Sequence, residues 1–142
     1  MTNLSKQKII LFLALFVISL FSGCAKSKMK RLSETINKYN KTLKWGAYSA
    51  SSLMMTEDSR KELTQRILKE LNNKNIVDYA IADMSYDEES KTATAIVQYS
   101  YINQRTQSLH NFAEIQLWSL TKGSWRLSNI LESRKAKGTH LD

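Results

Sequence analysis

The spacing of apolar residues changes once along this chain, close to Asn75, and this change limits the folds that the chain can form. Before Asn75, apolar side chains recur every three or four residues, which is the period of an amphipathic helix. After Asn75, apolar and polar residues alternate, which is the period of a half-buried strand. Helices followed by strands with short connections predict an α+β domain.

Two helices are predicted in the first half of the chain. The first covers about Met29 to Trp45 and ends near Gly46. Its apolar stripe consists of Leu32, Ile36, Tyr39, Leu43 and Ala47. The second begins with Thr56 or Ser59 as the N-cap, and its stripe consists of Leu63, Ile67, Leu68 and Leu71. The segment between them, residues 48–55, is expected to be a short helix or a turn.

Four strands are predicted in the second half, at about residues 76–86, 92–103, 107–120 and 125–132. Strict alternation in the first strand places Val77, Tyr79 and Ile81 on one face and Ala80, Ala82, Met84 and Tyr86 on the other. In the third, one face carries Phe112, Glu114, Gln116 and Trp118. In the fourth, one face carries Trp125, Leu127, Asn129 and Leu131, opposite Ile130. The expected fold is α+β, with two or three N-terminal helices packed on a curled four-stranded antiparallel sheet.

The first 24 residues have the composition of a targeting segment. Lys6 and Lys8 precede Ile9 to Phe21, a run of 13 residues that is apolar except at Ser19. As a helix this run would be about 20 Å long, which is shorter than the hydrocarbon core of a bilayer. The pattern therefore predicts a secretory signal.

The end of this segment, Leu20-Phe21-Ser22-Gly23-Cys24, resembles the lipobox of bacterial lipoproteins, although Phe21 stands where that family most often has Leu, Val or Ile. The resemblance implies cleavage between Gly23 and Cys24 and acyl chains on Cys24, the single cysteine of the chain. It also implies a lipid-anchored protein of the cell envelope. Because Ala25 rather than Asp follows the cysteine, the outer membrane facing the periplasm is expected if the source has two membranes. The alternatives are a plain signal peptide and an uncleaved anchor.

Positive charge is concentrated next to the predicted anchor. The whole chain carries a net charge of +8, of which residues 25–44 carry +6, whereas residues 45–142 are neutral overall. This distribution argues against nucleic-acid binding, which places basic residues on the folded reading surface. Two alternatives explain the charge: attraction to anionic lipid headgroups, or a solvated helix face.

The chain is expected to contain four parts. They are a signal peptide at residues 1–23, the lipidated cysteine with a short basic tether at 24–29, an α+β domain at 30–132 and a polar tail at 133–142. A tether of about five residues reaches at most about 18 Å, so the domain is expected to lie close to the bilayer.

The order of elements, together with Tyr39-Asn40, Leu43-Lys44-Trp45-Gly46 and Trp125-Arg126-Leu127, is similar to the nuclear-transport-factor-two-like cone fold. A cystatin-like or other helix-on-sheet fold would give much the same pattern. The resemblance implies a pocket between the helices and the curved sheet, which enzymes of that family use for acid–base chemistry and other members use for ligands or partners. A fold by itself does not choose among these functions.

Few residues suggest catalysis. The two histidines are His110, in or beside a strand, and His140, in the tail. Asp78 and Asp83 are an odd number of residues apart, so strict alternation would place them on opposite faces of a strand. No cofactor motif and no metal-ligand spacing is present. A candidate ligand pocket, set against plain core packing of the same aromatic residues, consists of Tyr99, Tyr101, His110, Gln116 and Trp118.

The sequence predicts a non-enzymatic binding or structural module, attached to the membrane through acyl chains on Cys24 and associated with an envelope protein partner. The alternative is a small-molecule carrier or sensor that uses a concave pocket. A third hypothesis is an enzyme in which His110 acts as a base paired with Asp78, Asp83 or Glu114.

Overall fold

The computed structural model describes residues 27–131 of the chain. The chain divides into two compact units, Met1–Ser33 and Glu34–Asp142. Of the first unit, residues 27–33 are described, and they are helical. The described part of the second unit contains the remaining helices and all the strands reported below.

The predicted signal, the cleavage and lipidation at Gly23 and Cys24, and the polar tail at 133–142 lie outside the described residues. They stay predictions of the sequence. None of the helices within residues 27–131 is long and apolar enough to cross a membrane.

Three helices precede the sheet. Helix α1 covers residues 27–44, helix α2 covers Tyr48–Ser52 and helix α3 covers Arg60–Glu70. Helix α1 ends because Gly46 adopts a left-handed conformation (φ +67°), with hydrogen bonds from the Gly46 and Ala47 amides back to the carbonyls of the last turn. The predicted boundaries are correct to within about two residues, and α2 lies in the segment left open as a helix or a turn.

Ser59 occupies the N-cap position of α3, as predicted, but its side chain makes no cap hydrogen bond. Instead the Ser59 hydroxyl donates to the carbonyl of Ser128 at 2.7 Å. The N-cap preference of serine therefore identified the right position but the wrong interaction, because the hydroxyl bonds to a carbonyl of the neighbouring strand instead of to the helix amides.

The four strands form one antiparallel sheet in sequence order. They are β1 (Lys74–Asp87), β2 (Thr92–Asn103), β3 (Leu109–Thr121) and β4 (Ser124–Leu131). Helices on one face of a curled four-stranded antiparallel sheet confirm the predicted α+β class.

Strand β1 contains two bulges, and these correct the predicted faces. The register shifts between Ile76 and Asp78 and again between Ile81 and Asp83. Each bulge inserts one residue, so the alternation reverses on passing it. Met84 and Tyr86 consequently share the inner, helix-facing side with Tyr79 and Ile81, whereas strict alternation had placed them on the opposite side.

The same bulges place Asp78 and Asp83 on one face, not on two. Asp78 pairs with Ser100 and Asp83 with Ile96, and these partners are an even number of residues apart on β2. The expectation of opposite faces was therefore wrong. The two carboxylates are nevertheless about 13 Å apart along the strand, on the exposed outer face.

Strand β4 contains one bulge at Ser128, where Leu117 pairs with Asn129 but Trp118 pairs with Leu127. The bulge brings Ile130 to the inner face, where it is buried, and turns Leu131 outward. The prediction had these two side chains reversed, again because it assumed unbroken alternation.

The core of the second unit lies between the inner sheet face and the helices. Helix α1 contributes Ile36, Tyr39 and Leu43, and helix α3 contributes Leu63 and Ile67. The sheet contributes its buried inner residues: Ala93, Ala95, Val97, Tyr99, Phe112, Trp118, Trp125, Leu127 and Ile130. Alanines at two inner positions of β2 leave room above the sheet for larger side chains from β3 and α1.

The free edge of β4 is covered by the segment before α3. Met55 forms a bridge with Leu127, and the Thr56 amide donates to the Leu127 carbonyl at 2.8 Å. The Arg66 guanidinium donates to the Ile130 carbonyl at 2.6 Å. These contacts satisfy backbone groups that an open edge would offer to another strand.

Candidate functional site

A cluster of polar side chains lies on the inner face of the sheet, under helix α1. Helix α1 supplies two of its residues, strand β2 supplies one and strand β3 supplies three. We call it the polar cluster, and its members are Tyr39, Asn40, Tyr99, Glu114, Gln116 and Trp118. All six are buried. The i, i+2 spacing of the β3 members explains why they share one face.

Hydrogen bonds join two sheet residues of the cluster to Asn40 of α1. The Gln116 amide nitrogen lies 3.0 Å from Asn40 Oδ1 and 2.9 Å from the Tyr99 hydroxyl. The Tyr99 hydroxyl donates to the same Asn40 oxygen. The Asn40 amide nitrogen donates in turn to the Ile36 carbonyl, one helical turn earlier, at 2.8 Å. One asparagine on α1 therefore holds both sheet strands against the helix.

Four polar atoms of the cluster have no hydrogen-bond partner among the described residues. They are the Tyr39 hydroxyl, Glu114 Oε2, Gln116 Oε1 and Trp118 Nε1. Buried polar groups are normally paired, and an unpaired one costs about 1–3 kcal/mol. Four of them in one cluster make these residues a candidate site for water or a polar ligand.

Glu114 carries the one carboxyl group of the polar cluster. Burial raises its pKa from 4.5 to about 7. The Gln116 and Tyr99 side chains lower this pKa by stabilising the ionised form, as does the positive charge of Arg66. Glu70, which is negative, raises it. Near neutral pH the carboxyl is therefore divided between a form that donates a hydrogen bond and one that only accepts.

The two tyrosines of the cluster stay neutral. Burial raises the pKa of Tyr39 and of Tyr99 well above the usual value, and the nearby Glu114 raises both further. Neutral phenols keep their protons for hydrogen bonding. The edge of Trp118 also contacts Tyr39, with ring centroids 5.5 Å apart and planes at 86°.

Of the predicted pocket residues, three belong to the polar cluster: Tyr99, Gln116 and Trp118. The other two, Tyr101 and His110, are paired across β2 and β3 toward the end of the same inner face. Tyr101 is half-buried and His110 is exposed. The structure therefore brings all five to one face of the sheet, but only the first three to one buried site.

A row of aromatic rings connects the polar cluster to Tyr101 and His110. Tyr99 stacks on Phe112 with centroids 4.8 Å apart, Phe112 contacts Tyr101, and Tyr101 stacks on His110 at 5.3 Å. The Lys74 ammonium lies 5.2 Å from the Tyr101 ring centroid, which is within the range of a cation–π contact. The row leads along the inner face from the exposed end of the sheet to the buried Tyr99 hydroxyl.

The environment of His110 does not match the hypothesis of a paired base. Its Nε2 lies 2.7 Å from the Ser108 hydroxyl, and its ring stacks on Tyr101. Glu114 is four residues further along the strand, about 13 Å away. Asp78 and Asp83 lie on the outer face. None of the three carboxylates proposed as a partner is therefore next to this imidazole.

Sequence reasoning did not identify Tyr39, Asn40 or Glu114 as site residues. Tyr39 was assigned to the apolar stripe of α1, and Glu114 was considered only as a partner of His110. Two signals were available: Asn40 directly follows a stripe residue, and Glu114 alternates with Phe112 and Gln116 on one strand face. Buried asparagine and glutamate at such positions need partners, which makes them candidates for a site.

No group of three or more metal-ligating side chains occurs among residues 27–131. The polar cluster contains one carboxylate, two phenols, two amides and an indole. Such a set suits hydrogen bonding to an organic ligand better than coordination of a cation.

Comparison with known proteins gives the fold but not the family. No family model matches the chain, and no curated protein does. A protein from Xanthomonas campestris pv. campestris, assigned as a polyketide cyclase, matches with a TM-score of 0.53 at 11% identity, over 70% of this chain and 89% of the other. A protein from Xanthomonas campestris, assigned as a calcium/calmodulin dependent protein kinase II association domain, matches with the same TM-score and identity, over 75% and 86%. These likenesses confirm the cone-like α+β fold.

Proposed function

We propose that this chain is a non-enzymatic binding module of the bacterial cell envelope, anchored through Cys24, and that its polar cluster binds a small uncharged ligand. The observation that carries the proposal is the set of four buried polar atoms without partners. A ligand that pairs with them would supply hydrogen bonds that the described residues do not provide.

The unpaired atoms indicate which hydrogen-bonding groups the ligand should carry. Tyr39 and Trp118 offer donors, and Gln116 Oε1 offers an acceptor. Glu114 can offer either, because its pKa is about 7. A ligand with hydroxyl or amide groups on an apolar body matches this set. A charged ligand matches it poorly, because a buried charge needs an opposite charge beside it.

The anchor is proposed from the sequence. An apolar run too short to span a bilayer precedes Ser22-Gly23-Cys24, and the chain has no other cysteine. Two or three acyl chains hold a protein at a membrane far more tightly than one, because each buried methylene contributes about 0.8 kcal/mol. We place the protein in the envelope, on the periplasmic side of an outer membrane if the source has one.

The ligand can be tested by native mass spectrometry of the full-length lipidated protein, purified in detergent. We expect a retained mass that disappears in Gln116→Met, which removes both amide contacts. The matched control is Gln98→Met, because Gln98 is exposed on the opposite face of the same sheet. Folded wild-type protein without any added mass, or equal retention in both variants, would contradict the proposal.

A protein partner in the envelope is also proposed for such a module. The outer sheet face carries Ile96 and Ile115, which pair across β2 and β3 and are both partly exposed. Isolation of the tagged full-length protein from detergent extracts should give a stoichiometric partner that Ile96→Asp abolishes. Recovery of the protein alone from repeated extractions would count against a partner.

One observation favours an acid–base enzyme as the second candidate: a buried carboxyl whose pKa is about 7, beside the Tyr99 hydroxyl and the Gln116 amide. If Glu114 transfers a proton, a gene carrying Glu114→Gln should fail to complement a deletion of the wild-type gene. A gene carrying Glu114→Asp should complement it in part. A binding module would tolerate Glu114→Gln, because the amide keeps the shape and the hydrogen-bonding capacity of the neutral acid.

A further inference from the structure

Trp45 lies at the C-terminal end of helix α1 with 74% of its surface exposed. The other two tryptophans of the chain, Trp118 and Trp125, are 0% and 5% exposed. The Trp45 amide donates to the Lys41 carbonyl at 3.2 Å, and the left-handed Gly46 ends the helix directly after it. The backbone at Trp45 is therefore held in place, while the indole faces solvent.

Three lysines precede this indole on α1. Lys38 and Lys41 are exposed and lie two turns and one turn before Trp45, on the same side of the helix. No carboxylate of the described residues forms an ion pair with either of them. Lys44 is half-buried and lies 3.6 Å from the Asp78 carboxylate. We call Lys38, Lys41, Lys44 and Trp45 the lysine–tryptophan patch.

A shallow groove of about 380 Å³ opens beside the patch. Besides Lys41, Lys44 and Trp45, it is lined by Asn37, Asp78 and Tyr79. The Tyr79 hydroxyl donates to the Asn37 carbonyl at 3.1 Å, which joins strand β1 to α1 at the groove. The groove therefore combines two ammonium groups, one of them paired with the Asp78 carboxylate, and two amphipathic rings at an exposed surface.

We propose that the lysine–tryptophan patch is a membrane-contact surface, where Trp45 enters the headgroup region and the lysines bind anionic phospholipids. The proposal rests on the proposed anchoring through Cys24, 21 residues earlier in the sequence. Tryptophan favours the interface because its ring is apolar and its N–H still needs a polar partner. The long lysine side chains can lie along the apolar boundary while their ammonium groups remain among the phosphates.

Two observations favour a bilayer over a free phosphate or an acidic protein. An exposed indole gains nothing from a free phosphate in water, whereas the interface shields its ring. Positive charge is concentrated in residues 25–44 whereas residues 45–142 are neutral overall, so attraction to a negative surface would act on this part of the protein. Each lysine close to such a surface strengthens its binding by about fivefold.

The experiment places the full-length lipidated protein in vesicles of phosphatidylcholine alone or of phosphatidylcholine mixed with phosphatidylglycerol, an anionic lipid that gives the surface a negative charge. Lipids brominated on their acyl chains quench tryptophans that enter the bilayer. We expect strong quenching in the anionic vesicles and weak quenching in the neutral ones. Trp45→Phe should abolish it, because Trp118 and Trp125 are buried in the fold.

The lysines are tested by Lys38→Gln/Lys41→Gln, which should weaken the binding of the patch to anionic vesicles by about 25-fold, or about fivefold for each lysine. The matched control is Lys61→Gln/Lys69→Gln, which removes two exposed lysines from α3 and should leave quenching unchanged. Addition of inorganic phosphate at the same ionic strength should not compete with the bilayer.

Equal quenching in the two kinds of vesicle, or none in either, would overturn the proposal. Equal loss in the two double-lysine variants would also overturn it, since the effect would then follow net charge and not the patch. Intact-mass measurement reports the acyl chains on Cys24 separately. If these are absent, the same protein added to preformed anionic vesicles still tests the patch, while the anchor is refuted.

Discussion

The Gln116 amide nitrogen lies 2.9 Å from the Tyr99 hydroxyl oxygen, although the two residues are not opposite each other in the sheet. Tyr99 pairs with Phe112, and Gln116 pairs with Ala95. Val97 and Glu114 form the pair between them on the inner face, so the two side chains must lean along the sheet to meet. Both groups also meet Asn40 of α1, so the polar cluster depends on the position of a helix as well as on the sheet.

Replacement of Tyr99 by Phe is expected to destabilise the fold by about 1–3 kcal/mol, because it leaves Asn40 and Gln116 with a lost partner inside the core. Urea denaturation of the full-length protein in detergent would measure the change. Tyr79→Phe is the control, since the Tyr79 hydroxyl donates to a carbonyl in an exposed position where water can replace it. A similar loss of stability in both variants would mean that the buried Tyr99 hydroxyl stabilises the fold no more than the exposed Tyr79 hydroxyl does.

The stability of the protein is expected to fall as the pH rises from about 4.5 to above 7. In this range the unfolded chain releases the Glu114 proton while the folded state keeps it, since the folded pKa is about 7. The stabilisation by the neutral acid is complete below pH 4.5 and lost above the folded pKa. The difference corresponds to about 3 kcal/mol.

Glu114→Gln should remove this part of the pH dependence and be more stable than the wild type at pH 8. Denaturation curves at pH 5 and pH 8 for both proteins would measure it. Glu62→Gln, which changes an exposed glutamate on α3, should keep the wild-type pH profile. Parallel profiles for the wild type and Glu114→Gln would show that the Glu114 carboxyl is not shielded from water.

Gly46→Ala is expected to cost about 1 kcal/mol of stability, because alanine resists the left-handed conformation found there. The cause is the backbone alone, since a Cβ at this position would meet no atom within 4 Å. Thermal unfolding would measure the loss, with Gly46→Asn as the control because asparagine tolerates this conformation better. An equal loss in both variants would point to a cause other than φ.

Cys24→Ala tests the anchor independently of the fold. We expect loss of labelling by a fatty-acid analogue and accumulation of the uncleaved precursor, because both acylation and cleavage of a lipoprotein require the cysteine. Ala25→Asp should keep the label and move the protein to the inner membrane of a source with two membranes. Unchanged labelling of Cys24→Ala would refute lipidation at this residue.

In the sheet, the alternation of apolar and polar residues predicted the buried side chains correctly only where a strand has no bulge. In β2, which has no bulge of its own, alternation is unbroken, and Ala93, Ala95 and Val97 are all buried on one face. In β1 and β4, prediction failed at Met84 and Ile130, directly after a bulge in each strand. A bulge leaves the hydrophobic pattern nearly unchanged and depends on how the partner strand pairs, so the pattern alone did not locate it.

In the candidate site, the sequence pattern likewise identified residues of one strand but not the distant residue that contacts them. Gln116 and Trp118 were predicted to line a pocket, and the inner face of β3 does carry them beside Glu114. Asn40, which joins them to α1, is 76 residues away from Gln116 in sequence. Its role became visible only when the helix was placed on the sheet.

Periodicity alone determined the order of helices and strands, the α+β class and the inner face of the regular strands, because these follow from side chains three or four, or two, residues apart. The signal and the cysteine are likewise local patterns. Tertiary structure decided the bulges, the separation of His110 from Glu114 and the assembly of the polar cluster. These features depend on pairing and packing between residues far apart in the chain. The energies of such long-range contacts cannot be predicted from the residues of a short segment.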